Sequence, residues 1–167
     1  MHDLESLAVT DLETRAELPE SSLAMHYGTI ENCVVAAYDE VAQQLYIVQL
    51  EAFAGPGDWH ERFSDAVDAA LERIESTSGT AQLCFGELAR GNPRIRARRA
   101  VARERTVRLL SDEYERERHE GLPDLHFEFL VGALYRAAQD ELAAGGEPTC
   151  VAGRVSELLA VLEPVPA

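Results

Sequence analysis

The stretch that most constrains the fold is residues 9–38, where two short helical segments lead into a long one. Thr10 and Glu13 have the T-x-x-E spacing of a capping box, in which a hydroxyl and a carboxylate bind backbone amides at a helix start. Pro19 ends the first segment, because proline cannot continue a helix interior but can open the next helix. The pattern predicts two short helices joined by a tight turn, at residues 11–16 and 20–26.

A long amphipathic helix is predicted directly after these two. Gly28 ends the second short helix, and Thr29 can cap the next one. Apolar residues then recur every three or four positions from Ile30 to Phe53, which predicts one helix of roughly 36 Å. Two short helices joined by a tight turn are the layout of a helix-turn-helix, whose second helix enters the DNA major groove.

Residues 16–31 resemble the DNA-binding signature of the tetracycline-repressor (TetR/AcrR) family of transcriptional regulators. That signature has a hydroxyl residue, an apolar residue, a histidine, an aromatic residue and then Gly or Pro. The matching residues are Ser22, Leu23, His26, Tyr27 and Gly28. The later helical patterns look like the family's ligand-binding and dimerisation lobe, so the resemblance covers nearly the whole chain.

The resemblance implies an all-α protein with an incomplete helix-turn-helix lobe and a larger helical lobe. The first is the DNA-binding domain at residues 1–29, in which we expect the family's first helix to be absent or truncated. The second is a ligand-binding and dimerisation domain at residues 30–167. The implied function is a ligand-responsive transcriptional regulator that binds DNA as a homodimer.

The same resemblance selects the residues expected to contact DNA. A dimer would present the second short helix to two half-sites about 34 Å apart. Glu17 stands where the family has a turn glycine, and a left-handed backbone there would cost about 1 kcal/mol. Ala24 and Ile30 replace a tyrosine and a lysine that the family uses on phosphates. The candidate DNA-binding residues are Thr10, Glu20, Ser21, Ser22, Met25, His26 and Tyr27.

The charge of the chain favours an alternative function. The chain has 30 carboxylates, 15 basic residues and a formal net charge of −15. In residues 1–30, six carboxylates accompany Arg15 as the single basic residue. Phosphate neutralisation supplies most non-specific affinity for DNA. The alternative is therefore a ligand-binding or interaction protein of the same fold that has lost DNA binding.

Glycine and proline divide the rest of the chain into further helices. Asp58 and Glu61 form a second predicted capping box, and the helix that it opens ends at the break of residues 76–79. The other predicted helices are residues 80–90, 94–119, 125–144, with Asp124 as cap, and 148–162. We expect the last two to form the homodimer interface, with Leu158 and Leu159 in it, as an intermolecular four-helix bundle.

Aromatic residues on three helices of the larger lobe predict a pocket for an unidentified small molecule. Such pockets are mostly apolar with a few polar groups. The candidate ligand-binding residues are Trp59, His60, Phe63, Cys84, Phe85, His126 and Phe129. The alternative is that the aromatic side chains simply fill the core.

The only cluster of basic residues consists of eight arginines within residues 90–108. It is either a docking surface for an acidic partner or ligand, or a solvated helix face that pairs with the chain's own carboxylates. No aromatic residues are interleaved among the arginines, which disfavours nucleic-acid binding through this helix.

The sequence lacks the common motifs for catalysis, cofactor binding and membrane insertion. The sequence has no phosphate-binding loop, dinucleotide-binding glycine pattern, H-E-x-x-H or G-x-S-x-G, so we predict a non-enzyme without cofactor or metal. It has no apolar run of membrane-spanning length and no signal-peptide pattern, so we predict a cytoplasmic protein. Cys33, Cys84 and Cys150 are interpreted as reduced thiols, with a redox sensor as the alternative.

Overall fold

A computed structural model describes residues 9–77, 79–86, 91–119 and 121–159. The structure is 82% helical and has no strands in this part of the chain, which confirms the predicted all-α class. The α-helices are α1 (Val9–Arg15), α2 (Ser22–Tyr27), α3 (Ile30–Phe53), α4 (Trp59–Glu75), α5 (Thr80–Phe85), α6 (Pro93–Arg118), α7 (Asp124–Ala143) and α8 (Val155–Leu159). A 3-10 helix, η1, covers Pro148–Arg154.

The chain divides into two compact units, of which the first reaches to Glu40 and the second begins at Val41. The sequence interpretation placed its domain boundary before Ile30 instead. The structural division falls inside α3, a helix that continues without a break through both positions. A hydrophobic pattern marks where a helix ends, so it carries no signal for a boundary in mid-helix.

In the first unit, the capping box predicted at Thr10 is wrong. Val9 is already helical, so Thr10 lies within α1. The carboxylate of Glu13 accepts hydrogen bonds from backbone amides at the start of α2. The T-x-x-E spacing is local, whereas the partners that Glu13 takes lie eight and ten residues ahead of it.

The turn between α1 and α2 contains two left-handed residues that are not glycine. Glu17 has φ 53° and Ser21 has φ 67°. Each costs about 1–2 kcal/mol relative to a right-handed backbone. The expectation for Glu17 is thus confirmed, while α2 begins at Ser22 and not at the predicted residue 20.

In the second unit, the structure confirms the predicted capping box at the start of α4. Asp58 Oδ1 accepts a hydrogen bond from the Glu61 amide at 3.0 Å, and Glu61 Oε2 accepts one from the Asp58 amide at 3.0 Å. The hydrogen bond from the Glu61 amide lowers the pKa of the Asp58 carboxyl. This box fixes the start of the helix that carries Trp59 into the core.

Two apolar clusters form the core of the second unit. The first core cluster consists of Phe53, Trp59, Phe63, Ala66, Val107, Leu109, Leu110, Phe127, Leu130, Val131, Val155 and Leu159. The second core cluster consists of Leu71, Ile74, Cys84, Phe85, Ala138 and Val151. Helix α7 contributes to both, because its buried side chains recur at three- and four-residue steps along one face.

The N-termini of α6 and α7 differ in how they are capped. Asn92 Oδ1 accepts hydrogen bonds from the amides of Arg94 and Ile95 at 2.9 and 3.1 Å, and Pro93 occupies the first turn of α6. The predicted cap at Asp124 is wrong, because Pro123 precedes α7 and Asp124 is its first helical residue. Asp124 Oδ1 instead accepts a hydrogen bond from Ser111 Oγ on α6 at 3.2 Å.

The C-terminal segment is not the single α-helix predicted for residues 148–162. It is the 3-10 helix η1 followed by the short α8, and residues 160–162 lie outside the described part. Leu159 is buried in the first core cluster, and Leu158 packs against that cluster. The core of the chain itself therefore uses the two leucines expected in the dimer interface.

Within the ranges that the structure describes, no helix is long and apolar enough to cross a membrane.

Candidate functional site

The start of α2 is held by a buried carboxylate from α1. Glu13 is only 3% exposed, and its Oε1 accepts a hydrogen bond from the Leu23 amide at 2.8 Å. Its Oε2 accepts one from the Ser21 amide at 3.0 Å. A negative charge at a helix start satisfies amides that lack intrahelical partners and interacts favourably with the helix dipole. Glu13 thus fixes α2 relative to α1.

The sequence interpretation missed this role of Glu13. Ser21 precedes α2 and is a good N-cap residue type, yet its side chain makes no capping hydrogen bond there. Its left-handed backbone departs from the extended conformation that a capping side chain needs. The available signal was a pair of helices in which the second has no usable cap and the first carries an acidic residue.

The side-chain surface of α2 is largely open to solvent. None of its residues is buried, and Met25 is 83% exposed. Ser21, His26 and Tyr27 are exposed, and Ser22 is half-buried. Ser22, Met25 and His26 follow the three- and four-residue spacing that places side chains on one helix face. The structure therefore groups five of the seven DNA-binding candidates on α2 and at its start.

The two other candidates lie outside this helix. Glu20 is exposed in the turn before α2, and Thr10 is exposed on α1, where its carbonyl oxygen accepts a hydrogen bond from Thr14 Oγ1 at 2.8 Å. Glu17 and Glu20 both expose carboxylates in the turn. The surface beside α2 is therefore acidic, apart from the exposed Arg15.

The link from α2 to α3 follows the sequence prediction. Thr29 Oγ1 accepts a hydrogen bond from the Asn32 amide at 3.2 Å, which confirms the predicted cap. Asn32 Nδ2 also donates to the Tyr27 carbonyl oxygen at 2.7 Å, which ties the last residue of α2 to the first turn of α3. Gly28 between them has φ 72°, a conformation that glycine adopts without strain.

The candidate ligand-binding residues fall into different places of the second unit. Trp59 and Phe63 belong to the first core cluster, where their rings stack with centroids 5.1 Å apart. Trp59 is 0% exposed, and its Nε1 donates to the Leu110 carbonyl oxygen at 3.3 Å. Neighbouring protein groups thus occupy both the face and the polar edge of this indole, as in a packed core.

Cys84 and Phe85 belong to the second core cluster instead. Burial raises the pKa of the Cys84 thiol to about 12, with a smaller opposing effect from Arg99. The thiol is therefore neutral at physiological pH, and buried neutral thiols are unreactive. Phe85 packs edge-to-face on Tyr135, with ring centroids 5.5 Å apart.

The remaining three ligand candidates are closer to the surface. His60 is half-buried against the Trp59 ring, at 5.5 Å between centroids, and His126 is half-buried with Nδ1 3.2 Å from the Pro123 carbonyl oxygen. Phe129 is 55% exposed, so its predicted place in the core is wrong. The buried face of α7 runs through Phe127, Leu130 and Val131, and Phe129 points away from it.

Part of the arginine cluster pairs within the chain. Arg108 binds Glu104 at 2.5 Å on α6. Arg105 lies over the Tyr46 ring, with Cζ 3.5 Å from the centroid, and its Nη1 donates to Gln43 Oε1 at 2.9 Å. Arg90 lies outside the described residues. These contacts agree with the solvated-face alternative for this portion of the cluster.

Within the described ranges, no group of three or more His, Cys, Asp or Glu side chains could hold a metal ion.

No family model, curated protein or solved structure matches the chain. The resemblance to the TetR family therefore stays a prediction carried by residues 16–31.

Proposed function

We propose that the protein is a non-enzymatic transcriptional regulator that contacts DNA through α2 as a homodimer. One observation carries the proposal. The start of α2 is anchored by the buried Glu13 carboxylate, while none of the residues of α2 itself is buried. This is the geometry that a helix needs to enter a groove.

A helix of this length does not persist by its own propensity. Isolated helices shorter than about 12–15 residues are marginal in water, and α2 has six residues. Most short helices are stabilised by an apolar face that packs against the rest of the protein. That face is then not available to a binding partner. Two charge-assisted hydrogen bonds, which the Glu13 carboxylate accepts from the Ser21 and Leu23 amides, replace part of that packing. Ser22, Met25 and His26 are thus left available for polar and methyl contacts with base edges.

The dimer of this proposal uses α7. Leu125 is 71% and Phe129 is 55% exposed, four residues apart on one face of the helix. An apolar pair of this kind at the same position in two copies makes a self-complementary two-fold contact. Residues of α8 are already committed to the core, so we assign the interface to α7 and not to Leu158 and Leu159.

The dimer is tested by sedimentation of a Leu125→Asp, Phe129→Asp double variant. A Val101→Asp variant is the matched control, since Val101 is 62% exposed on α6. We expect the double variant to sediment as a monomer at concentrations where the control and the original chain are dimeric. A dimer unaffected by both substitutions would contradict the assignment.

The regulatory ligand of this proposal is an unidentified small molecule bound by the second unit. It would control DNA binding only if its affinity differs between two states of the protein. This part of the proposal rests on the family resemblance.

A second candidate is an interaction protein that has lost DNA binding, located like the first in the cytoplasm. The specific observation in its favour is the exposure of Glu17 and Glu20 beside α2. Carboxylates there repel a phosphate backbone, and they suit a basic protein partner instead.

Fluorescence anisotropy with labelled duplexes from the DNA flanking the gene distinguishes the two candidates. The informative variant is Met25→Glu, and the control is Ile47→Glu, which adds the same charge on α3 at a 42% exposed position. We expect weak binding that Met25→Glu abolishes and Ile47→Glu preserves. Equal loss in both variants would contradict contact through α2, and no binding by the original chain would favour the interaction protein.

A further inference from the structure

An open pocket of about 310 Å³ lies on the N-terminal half of α6. Its lining residues are Arg96, Arg99, Ala100 and Arg103. They are spaced by three, one and three positions, so they share one face of the helix. Ala100 has the smallest side chain of the four and lies between Arg96 and Arg103 on that face.

Arg99 is held in place by two groups of α7. Its Cζ lies 5.1 Å from the centroid of the Tyr135 ring, within the range of a cation–π contact. In the amide orientation that satisfies both side chains, the Gln139 oxygen accepts from Arg99 Nη2 at 2.7 Å and from Nη1 at 3.3 Å. Arg99 is half-buried. A guanidinium fixed in this way loses little conformational freedom when it binds a further acceptor.

Arg99 and Arg103 supply the positive charge of the pocket on which the proposal depends. Glu104, the one carboxylate in residues 93–108, pairs with Arg108 at 2.5 Å, and Asp140 on α7 pairs with Arg136 at 2.9 Å. Among the residues that the structure describes, no carboxylate forms an ion pair with Arg99 or Arg103. The described carboxylates thus do not neutralise these two side chains.

We propose that this pocket binds a small phosphate-bearing anion with two charged groups. The guanidinium fork matches phosphate oxygens in pairs. Arg99 and Arg103 are four residues apart, roughly 6 Å along the helix axis, so two charges on one ligand can each meet an arginine. The volume is at the lower limit of small-molecule sites, about 300 Å³. The site is independent of DNA binding by α2.

A small anion fits these observations better than a nucleic acid. The net charge of −15 opposes the approach of an extended polyanion, because that interaction acts over distances up to the Debye length of about 10 Å. A compact anion in the pocket meets the arginines at hydrogen-bonding distance. There the attraction to the arginines exceeds the long-range repulsion that comes from the net negative charge. The pocket therefore selects by size as well as by charge.

Isothermal titration calorimetry of the full chain with pyrophosphate tests the site. The informative variant is Arg103→Gln, and the matched control is Arg105→Gln, which removes the same charge from the same helix outside the pocket and whose partners, Gln43 and Tyr46, are uncharged. We expect saturable binding at one site per chain, weakened on the order of tenfold in Arg103→Gln and within about twofold of the original in Arg105→Gln.

A second variant, Ala100→Glu, fills the pocket with a carboxylate at an exposed position where glutamate is a good helix former. We expect it to abolish binding while the helical circular dichroism stays unchanged. Three results would overturn the proposal: no saturable binding of pyrophosphate, equal weakening in Arg103→Gln and Arg105→Gln, or tighter binding of citrate than of pyrophosphate. Competition by duplex DNA at equal phosphate concentration would also overturn it, in favour of a nucleic-acid surface.

Discussion

The two units of this protein are stabilised in different ways and carry opposite charge at their candidate sites. In the first unit, α2 is held by the carboxylate of Glu13 and exposes its side chains on an acidic surface. In the second unit, α4, α6 and α7 enclose an aromatic core, and the N-terminal half of α6 carries the arginines.

The comparison shows that an exposed short helix of the kind that reads DNA, and a basic surface of the kind that binds phosphate, can lie in different units of one chain. The exposed short helix has a mostly acidic surface beside it, with Arg15 as the exception, and the basic helix lacks the short form of a reading helix. We therefore assign the two properties to two ligands, with DNA at α2 and a small anion at α6.

The largest expected effect is the difference in the free energy of unfolding between a core substitution and a surface substitution. Trp59→Ala removes a side chain with 0% exposure, and large-to-small changes of this kind cost about 3–5 kcal/mol in the free energy of unfolding. Met25→Ala, at 83% exposure, should change it by less than about 0.5 kcal/mol. Urea denaturation followed by circular dichroism measures both. A comparable loss in Met25→Ala would mean that α2 is packed and not available to DNA.

The next effect concerns the anchor of α2. Glu13→Ala leaves two amides without their charged acceptor, which should cost the first unit about 1.5–3 kcal/mol. Hydrogen exchange of the amides at residues 21–27 should accelerate correspondingly, while protection of the first core cluster stays the same. Glu20→Ala, an exposed carboxylate in the same turn, is the control. Unchanged exchange at α2 would show that Glu13 does not hold it.

A gain of function is expected from restoring two phosphate contacts. Ala24→Tyr with Ile30→Lys adds at most about two such contacts, so affinity for flanking DNA should rise on the order of tenfold. Ala24→Phe with Ile30→Met fills similar volume without the hydroxyl or the charge, and should give no gain. An anisotropy titration of the two double variants decides, and an equal gain in both would point to packing and not to phosphate contact.

The smallest expected effect concerns stability and comes from repulsion between neighbouring carboxylates on α4. Burial raises the pKa of Asp68, and the neighbouring Asp65 and Glu72 raise it further. A raised pKa in the folded state favours folding at low pH, and this contribution is lost as the pH rises through the folded pKa. Asp68→Asn should therefore stabilise the protein at pH 7 by a few tenths of a kcal/mol.

That gain should disappear below about pH 4, near the ordinary carboxyl pKa, where Asp68 is protonated in both states. Urea denaturation at pH 7 and pH 3.5 measures it, with Asp112→Asn, at an exposed position on α6, as the control. An equal gain at both pH values would contradict the electrostatic explanation.

Features encoded by neighbouring residues could be predicted from the sequence. The bounds of α3 and the capping box of Asp58 and Glu61 both follow from local spacing, and the structure confirms both. Long-range partners could not be predicted. Thr149 in η1 donates its amide to Glu75 Oε1 at 2.7 Å, a contact across the fold that no local pattern announces. The hydrogen bonds between Glu13 and the amides at the start of α2 were not predicted for the same reason.

The candidate sites were predictable to different degrees. Five of the seven candidate DNA-binding residues lie on α2 or at its start because a contiguous motif defines them. The ligand residues were chosen by type, and type alone does not say which face of a helix is buried. Phe129 shows this, since it is two residues from the buried Phe127 and lies on the opposite side of α7. The anion pocket depends on Tyr135 and Gln139, which the sequence does not connect to Arg99.

The salt dependence of DNA binding tests the central claim most directly. Each neutralised phosphate adds about 0.9 to the slope of log affinity against log salt concentration. The measurement is an anisotropy titration of flanking DNA at four salt concentrations, for the original chain and for Arg103→Gln. The account predicts weak binding with a shallow slope of about two or less, identical in both proteins. A steep slope that Arg103→Gln reduces by about one would show that DNA binds the arginines of α6 and not α2.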